Sequence, residues 1–357
     1  MARRIILAGG GTAGHIEPAL AVADSLRKID SKLELEFLGT SSGLEQLLVP
    51  QRGYLLRTIP KVVLPRKISL AAILFPFKLI GGVFKARKIV KGADLLIGFG
   101  GYVSATAYLA ARLAGVSIAL HEANARPGWA NRLGRHFAKV VAVNFENVRS
   151  DWSGSILTGM PIRKAITEVA HLSETERKKF RELHATTWGF DSSRPIVAIF
   201  GGSQGSLQIN EAVASYLKNS DRDIQILHAV GSNNPLQPAA PNYLPMAYFH
   251  DMASVYGAAD LMITRSGAVT CSELMTVARF ALLVPLAHGN GEQSENAGEL
   301  VDQGRALLVS NQEFNGDWLV KNLKQVVELA RSKRLEASEL HLHAADRIAE
   351  LALGANS

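Results

Sequence analysis

Four side chains between Leu261 and Asn296 could do chemistry together: Arg265, Glu273, Gln293 and Asn296. An arginine beside a helix start suits phosphate, because its guanidinium fork and the helix's first N–H groups both favour oxyanions. A carboxylate such as Glu273 suits the paired hydroxyls of a ribose. Gln293 and Asn296 are three apart, so on a helix they share a face, and each amide both donates and accepts. Together they fit a nucleotide sugar. One more strand–helix–strand unit with polar ends would also account for them. Positioning them needs a strand at Leu261–Thr264, a turn at Arg265–Gly267 and a helix from Ala268 with Val269, Leu274, Val277 and Ala278 as its apolar stripe. A strand over Phe280–Leu286 and a polar His-Gly-Asn-Gly loop complete the stretch.

A second candidate centre lies near the start. Arg4–Ala8 reads as a strand, Gly9-Gly10-Gly11-Thr12-Ala13-Gly14-His15 as a phosphate-cradling loop, and the residues around Pro18 as a helix with Leu20, Val22, Ala23 and Leu26 inward. A dinucleotide fold places an acid after its second strand. Here Leu35–Leu38 runs into Gly39-Thr40-Ser41-Ser42, which counts against a nicotinamide cofactor. The pattern restarts at Pro195–Phe200, where IVAIFGGSQGS leads into a helix bearing Ile209, Ala212, Val213, Tyr216 and Leu217. Two Rossmann-like halves follow from this repeat, with the break at Gly159–Arg163, near residue 162. Between them, Asp94–Phe99 and Ser117–Leu120 read as strands, the latter ending in His121-Glu122-Ala123-Asn124, and strand tips in such sheets face ligand. A helix is expected over Ser104–Leu113, strands at Met246–Phe249 and Ala306–Val309, and closing helices at Asp317–Arg331 and Leu335–Leu353. The triplet Asp221-Arg222-Asp223 looks like a metal motif but precedes a strand, so a solvated loop is the expectation.

The chain has 357 residues, is 47% hydrophobic and 20% charged, and holds one cysteine, Cys271. An intrachain disulfide is excluded, which fits a reducing compartment. No Cys/His cluster has zinc spacing. The start, MARRIILAGGG, lacks the apolar core of a signal peptide, and no run reaches the length of a membrane span. Net charge is +7, unevenly spread. No acid occurs between Glu45 and Asp94, whereas Arg52, Arg57, Lys61, Arg66, Lys67, Lys78, Lys85, Arg87, Lys88 and Lys91 do; ten cations against a net +7 leave the remainder at −3. The centre of this window, Ile68–Phe84, is apolar at helical spacing. It reads as a core helix with a basic rim, or as an interfacial surface for anionic lipid. No nucleic-acid motif accompanies the charge.

The motifs GGGTAGHIEPALAVADSL, FGGYVSATAYLAARLAG, HEANARPGWANR, GMPIR, GGSQGS, DMASVYGAADLMITRSGAVTCSEL and GNGEQSENA resemble the MurG family in order and spacing, over about residues 4–310. The resemblance implies an α/β fold of two Rossmann-like domains facing across a cleft, the glycosyltransferase B architecture. It implies transfer of N-acetylglucosamine from UDP-N-acetylglucosamine to lipid I, the undecaprenyl-linked muramyl-pentapeptide, at the cytoplasmic face of a membrane. Residues 1–161 would take acceptor and membrane, 162–335 the UDP-sugar, and 336–357 would pack back on the first domain.

Carried over residue by residue, the resemblance assigns Arg265, Ala268, Val269, Thr270 and Ser272 to the uridine diphosphate and Glu273 to the ribose. Ser203 belongs to the second glycine loop, Arg163 follows the hinge proline, and Phe249 lies where backbone meets uracil. Asn124 and Gln293 fall on the sugar side, with Asn296 added by its amide chemistry beside Gln293, while Thr12, Gly14 and His15, with Ala13 between them, belong to the loop facing the reaction centre. Departures are Ala13 for a glycine, Ala123 for a glutamine, and Glu292 where some members have a second glutamine. The implied reaction is inverting and uses no metal or other cofactor. His15 is the first candidate for general base, since an imidazole's ordinary pKa suits the task; Glu122 and His121 are alternatives. A UDP-sugar epimerase and a non-catalytic UDP-sugar sensor at the membrane are the rival readings.

Overall fold

The computed structural model describes residues 3–62, 70–202, 204–219, 223–286 and 291–355. Two compact units result: Met1–Arg163 with Leu340–Ser357, and Lys164–Glu339. In the first, the order is β1 (Arg4–Ala8), α1 (Ala13–Ile29), β2 (Glu34–Thr40), α2 (Glu45–Gln51), β3 (Leu55–Ile59), α3 (Leu70–Val90), β4 (Leu95–Gly98), α4 (Gly101–Ala114), β5 (Ser117–Glu122), α5 (Trp129–Gly134), β6 (Val140–Val143), α6 (Glu146–Asp151) and β7 (Ile156–Leu157). The seven strands pair in parallel, in the order β3-β2-β1-β4-β5-β6-β7.

The second unit runs α7 (Lys164–Ala170), α8 (Glu174–Thr187), β8 (Ile196–Phe200), α9 (Leu207–Asn219), β9 (Gln225–Ala229), β10 (Tyr243–Met246), α10 (Met252–Ala258), β11 (Leu261–Thr264), α11 (Ala268–Thr276), β12 (Ala281–Leu283), α12 (Glu292–Asp302), β13 (Ala306–Leu308) and α13 (Gly316–Ser332). After it come α14 (Glu339–Leu342) and α15 (Ala344–Gly354). Its sheet, again parallel, has the order β10-β9-β8-β11-β12-β13. Both sheets therefore reverse direction beside their first strand, between β1 and β4 and between β8 and β11. Open α/β sheets bind ligands at such a switch point, outside the carboxyl ends of the strands.

Buried on both faces, the central strands are continuous apolar runs, Ile5-Ile6-Leu7-Ala8 and Val197-Ala198-Ile199 among them. Ile16 and Leu20 of α1 cover the first sheet, joined by Ile348, Ala349 and Ala352 of α15. Ile209, Val213, Leu319 and Leu323 do the same for the second.

Several elements differ from the sequence reading. The expected strand Met246–Phe249 lies three residues upstream, because Tyr243–Met246 pairs with Ile226–Ala229. Pro245 is tolerated there because β10 is an edge strand. The closing helix Leu335–Leu353 is broken. Ser338 N–H donates to Met275 O, and Met160 N–H donates to His341 Nδ1, so this segment serves tertiary bonds rather than a continuous helix. The basic window holds α2 and β3, which periodicity did not separate, and α3 is no core helix along its length: Leu74, Phe77, Ile80 and Phe84 are 40%, 71%, 53% and 59% exposed. Arg66 and Lys67 of that window, Ser203, Asp221 and Arg222, and His288-Gly289-Asn290 lie outside the described residues.

Candidate active site

In the first unit the switch point is built from three loops. Gly9–Thr12 leaves β1, and Gly100-Gly101 opens α4 after β4, both glycines at positive φ (+91° and +78°). His15, in the first turn of α1, lies against them. A Cβ on Gly100 would stand 3.2 Å from its Cδ2, and one on Gly101 would stand 3.4 Å from its Nδ1 and 3.1 Å from the Gly10 carbonyl. Only a bare backbone in left-handed geometry lets α4 start this close to the imidazole. His15 is half-buried, with Nδ1 3.2 Å from Thr12 Oγ1. Burial lowers its pKa below the ordinary histidine value; a hydrogen bond to Gly10 and the charge of Glu45 oppose that shift without cancelling it. Thr12 is exposed, and Ala13 and Gly14 are half-buried beside it.

Glu45 was missed by sequence reasoning. Its carboxylate, wholly buried, accepts from Gly11 N–H at 2.9 Å and from both the N–H and the hydroxyl of Thr40 at 2.8 Å. Burial would raise its pKa, but these bonds outweigh burial and hold it below the usual value.

The third loop follows β5. Glu122 is buried and accepts from Asn124 N–H, Asn124 Nδ2, Gly128 N–H and Asn131 Nδ2 at 2.9–3.3 Å. Burial raises its pKa, and the same bonds oppose the rise. Asn131 also donates to the His121 carbonyl and accepts from the Tyr108 hydroxyl at 2.7 Å. His121 is fully buried, its Nε2 3.0 Å from the Gly159 carbonyl, and burial pushes its pKa down to about 4. Two of the three base candidates are thus enclosed: Glu122 shapes the loop that bears Asn124, and His121 secures the chain at Gly159. Arg163 belongs to this unit and pairs at 3.6 Å with Glu17 of α1.

In the second unit a pocket of about 530 Å³ opens at the corresponding position, lined by Gly201, Gly205, Ser206, Leu207, Gln208, Arg265, Leu286, Gln293 and Asn311. Arg265 sits in its wall as a strut. Nη1 donates to the carbonyls of Val284 (2.9 Å) and Pro285 (3.1 Å) and to Asn311 Oδ1 (2.6 Å), and Nη2 donates to Ser206 Oγ (2.6 Å). It ties the ends of β11 and β12 to the loops after β8 and β13. Ser206 closes the GGSQGS motif and Asn311 carries no motif signal; only the structure joins them to Arg265.

Beside it, Ala268, Val269 and Thr270 form the first turn of α11, with Val269 and Thr270 part-exposed, while Ser272 is buried in the next turn. Glu273 is buried and accepts from the Tyr256 hydroxyl at 2.9 Å. In α12, Gln293 Oε1 accepts from Leu286 N–H at 3.0 Å, and buried Asn296 donates to the Ser266 carbonyl at 3.3 Å. Glu292 is part-exposed at the start of that helix. Phe249, buried after β10, stacks edge-on with Phe200 at 6.0 Å. Among the described residues no group of three or more His, Cys, Asp or Glu could hold a metal ion.

Residues 5–143 match the glycosyltransferase family 28 N-terminal domain, and residues 196–351 match its C-terminal domain. A UDP-N-acetylglucosamine–N-acetylmuramyl-(pentapeptide) pyrophosphoryl-undecaprenol N-acetylglucosamine transferase of Corynebacterium diphtheriae is 44% identical over 88% of this chain and 85% of its own. The crystal structure of Acinetobacter baumannii MurG is similar at 26% identity and TM-score 0.69, covering 99% of both chains. A UDP-GlcNAc 2-epimerase from Methanocaldococcus jannaschii shares the fold alone, at 13% identity and TM-score 0.64 over 98% of this chain and 99% of its own.

Proposed function

We propose a mechanism for a chain that belongs to the MurG family, the transferases that carry N-acetylglucosamine from the UDP-sugar to lipid I and so make lipid II. The acceptor's C4 hydroxyl attacks the anomeric carbon from the side opposite the diphosphate. The new C–O bond forms as the bond to the diphosphate breaks, with inversion. His15 takes the hydroxyl proton. A carbonyl only accepts, so a hydrogen bond from the ring to Gly10 leaves the other ring nitrogen with the lone pair that takes the proton. UDP leaves toward the N–H groups opening α11 and the Ser206 loop, whose dipoles stabilise the departing charge. Arg265 holds those loops in register. No metal takes part in this scheme.

The observation that carries this reading is the His15 ring, seated at the switch point between two glycine loops and still part-exposed. Burial pushes its pKa below the ordinary value, which favours the unprotonated ring that a base needs. The acceptor's lipid tail calls for a membrane surface, which we assign to the exposed stripe and lysines of α3, at the cytoplasmic face. No helix among the described residues is long and apolar enough to cross a membrane.

UDP release measured with and without lipid-linked muramyl-pentapeptide, in the presence of chelator, tests the scheme. Release should need the acceptor and ignore the chelator. His15→Ala should lower kcat by roughly 10²–10⁴, with UDP affinity unchanged. A His15→Ala enzyme turning over at the wild-type rate removes His15 from the role.

A further inference from the structure

The acid missing from the tip of β2 is supplied by α2, and it faces the glycine loop. Glu45 is wholly buried, and three glycines make room for it: a Cβ on Gly10 would stand 2.8 Å from Oε1, one on Gly39 2.6 Å from Cγ, and one on Gly43 2.0 Å from Oε2. Its two oxygens bridge the ends of two adjacent strands. Oε2 takes the Gly11 N–H of the loop after β1, and Oε1 takes Thr40 at the end of β2. Gly11 is one residue from Thr12, the N-cap of α1, and four from His15.

We propose that Glu45 is a positioning residue for the transfer: its carboxylate fixes the loop that delivers Thr12 and His15, and its negative charge acts on the imidazole. Among the described residues, Glu45 is the charged group that acts on the ring. The groups packed against the ring from the α4 side are uncharged: Gly100 and Gly101 themselves, with the Asn131 amide beside Gly100. A carboxylate consumed by three donors is unavailable to a ribose, so this acid does work different from the one at the same strand in a dinucleotide fold. The inference rests on His15 as the base, and its test separates the two.

Two variants perturb Glu45 differently. Glu45→Gln keeps its shape, removes the charge and sets an amide NH2 against N–H donors. Gly43→Ala keeps the charge but pushes the carboxylate aside; Gly43 has no positive φ and is part-exposed, so an alanine backbone fits. Both should lose about tenfold or more in kcat, the scale of a small misplacement at a reacting centre. KM for UDP-N-acetylglucosamine and the Kd of UDP, properties of the other unit, should stay within about twofold. The His15 pKa, read by NMR of the imidazole without turnover, should fall in Glu45→Gln, because an anion that favours the protonated ring is gone. The acid limb of kcat/KM should move to lower pH with it. Wild-type kcat in both variants overturns the proposal, and so does an unmoved His15 pKa in a Glu45→Gln protein that still binds UDP. A shifted pKa in Glu45→Gln together with an active His15→Ala enzyme leaves the coupling standing and refutes the base.

Discussion

Phe77 is the sharpest test of how this enzyme meets its lipid acceptor. It stands in a row with Leu74, Ile80 and Phe84 at spacings of three and four, one face of α3, and all four are exposed. An aromatic side chain offers roughly 200 Å², so at 71% exposure Phe77 shows about 140 Å² to water. Removing all of that from water would be worth about 3.5 kcal/mol at ~25 cal/mol per Å²; an interfacial position recovers part of it. Phe77→Asp forfeits this gain and sets an anion against anionic headgroups, at about 1 kcal/mol. The expected loss is about 2–3 kcal/mol, or roughly 30- to 150-fold in partition coefficient.

Co-sedimentation with vesicles rich in phosphatidylglycerol reads that loss directly. Lys78, Lys85, Lys88 and Lys91 on or just after the helix are exposed, so wild-type binding should also weaken as salt shortens the Debye length from about 10 Å at 0.1 M to about 3 Å at 1 M. Some apolar binding should survive. A Phe77→Asp protein with wild-type melting temperature that binds vesicles as wild type does, at low salt and high, refutes the assignment.

Three further outcomes follow from the site. Asn311→Ala and Arg265→Lys should each raise the Kd of UDP, measured calorimetrically, by about tenfold, because a lysine cannot span four acceptors and an unanchored guanidinium no longer ties the loops; unchanged affinity would show that the strut is dispensable. Glu122→Gln should destabilise by roughly 2–4 kcal/mol in urea unfolding, since its new NH2 faces buried donors that lose their acceptor; an unshifted midpoint would contradict the network. Burial depresses His121, His228 and His341 to about 4 each. Between that value and the unfolded ~6.5 the unfolded chain binds more protons, so stability should be intact above pH 6.5 and fall on acidification toward 4. The ceiling is roughly 3 kcal/mol per histidine. His341→Gln should flatten the decline seen in urea titrations from pH 7 to 5, and an equal slope would exonerate that residue.

The sheets were legible because their strands are continuous apolar runs closed by glycine turns, a signal that survives without tertiary information. Leu261–Thr264 emerged at the expected bounds. Boundaries failed where tertiary bonds decide. β10 slid upstream because its pairing with β9 overrode its hydrophobicity, and the last helix broke where His341 reaches Met160. Candidate residues inside glycine motifs stand out in the sequence; those that act by folding back do not. The absence of an acid at the β2 tip was read correctly from residues 35–42, yet Glu45 returns its carboxylate to Thr40 across the intervening turn. One signal could have exposed it: it is the last acid before a 48-residue acid-free window, and glycines precede it at positions 39 and 43.

Where the charges ended up bears on mechanism. Glu122 and Arg265 stand at strand ends, and Glu45 reaches one from α2; each is surrounded by protein donors or acceptors that use most of its hydrogen-bonding capacity. Such groups are costly to bury unless they are paired, and once paired they fix geometry more than they meet substrate. The groups left to meet substrate are weaker: a part-exposed imidazole at α1 and the first N–H groups of α11. A weak donor or base acts well only if it is already aimed when the charge develops, because nothing then has to reorganise. The buried charges supply that aim. On this reading the enzyme's strong electrostatics lie one step behind the reaction. Substitutions at those charges should cost turnover or ligand affinity through geometry, and the tests above are built to see that difference.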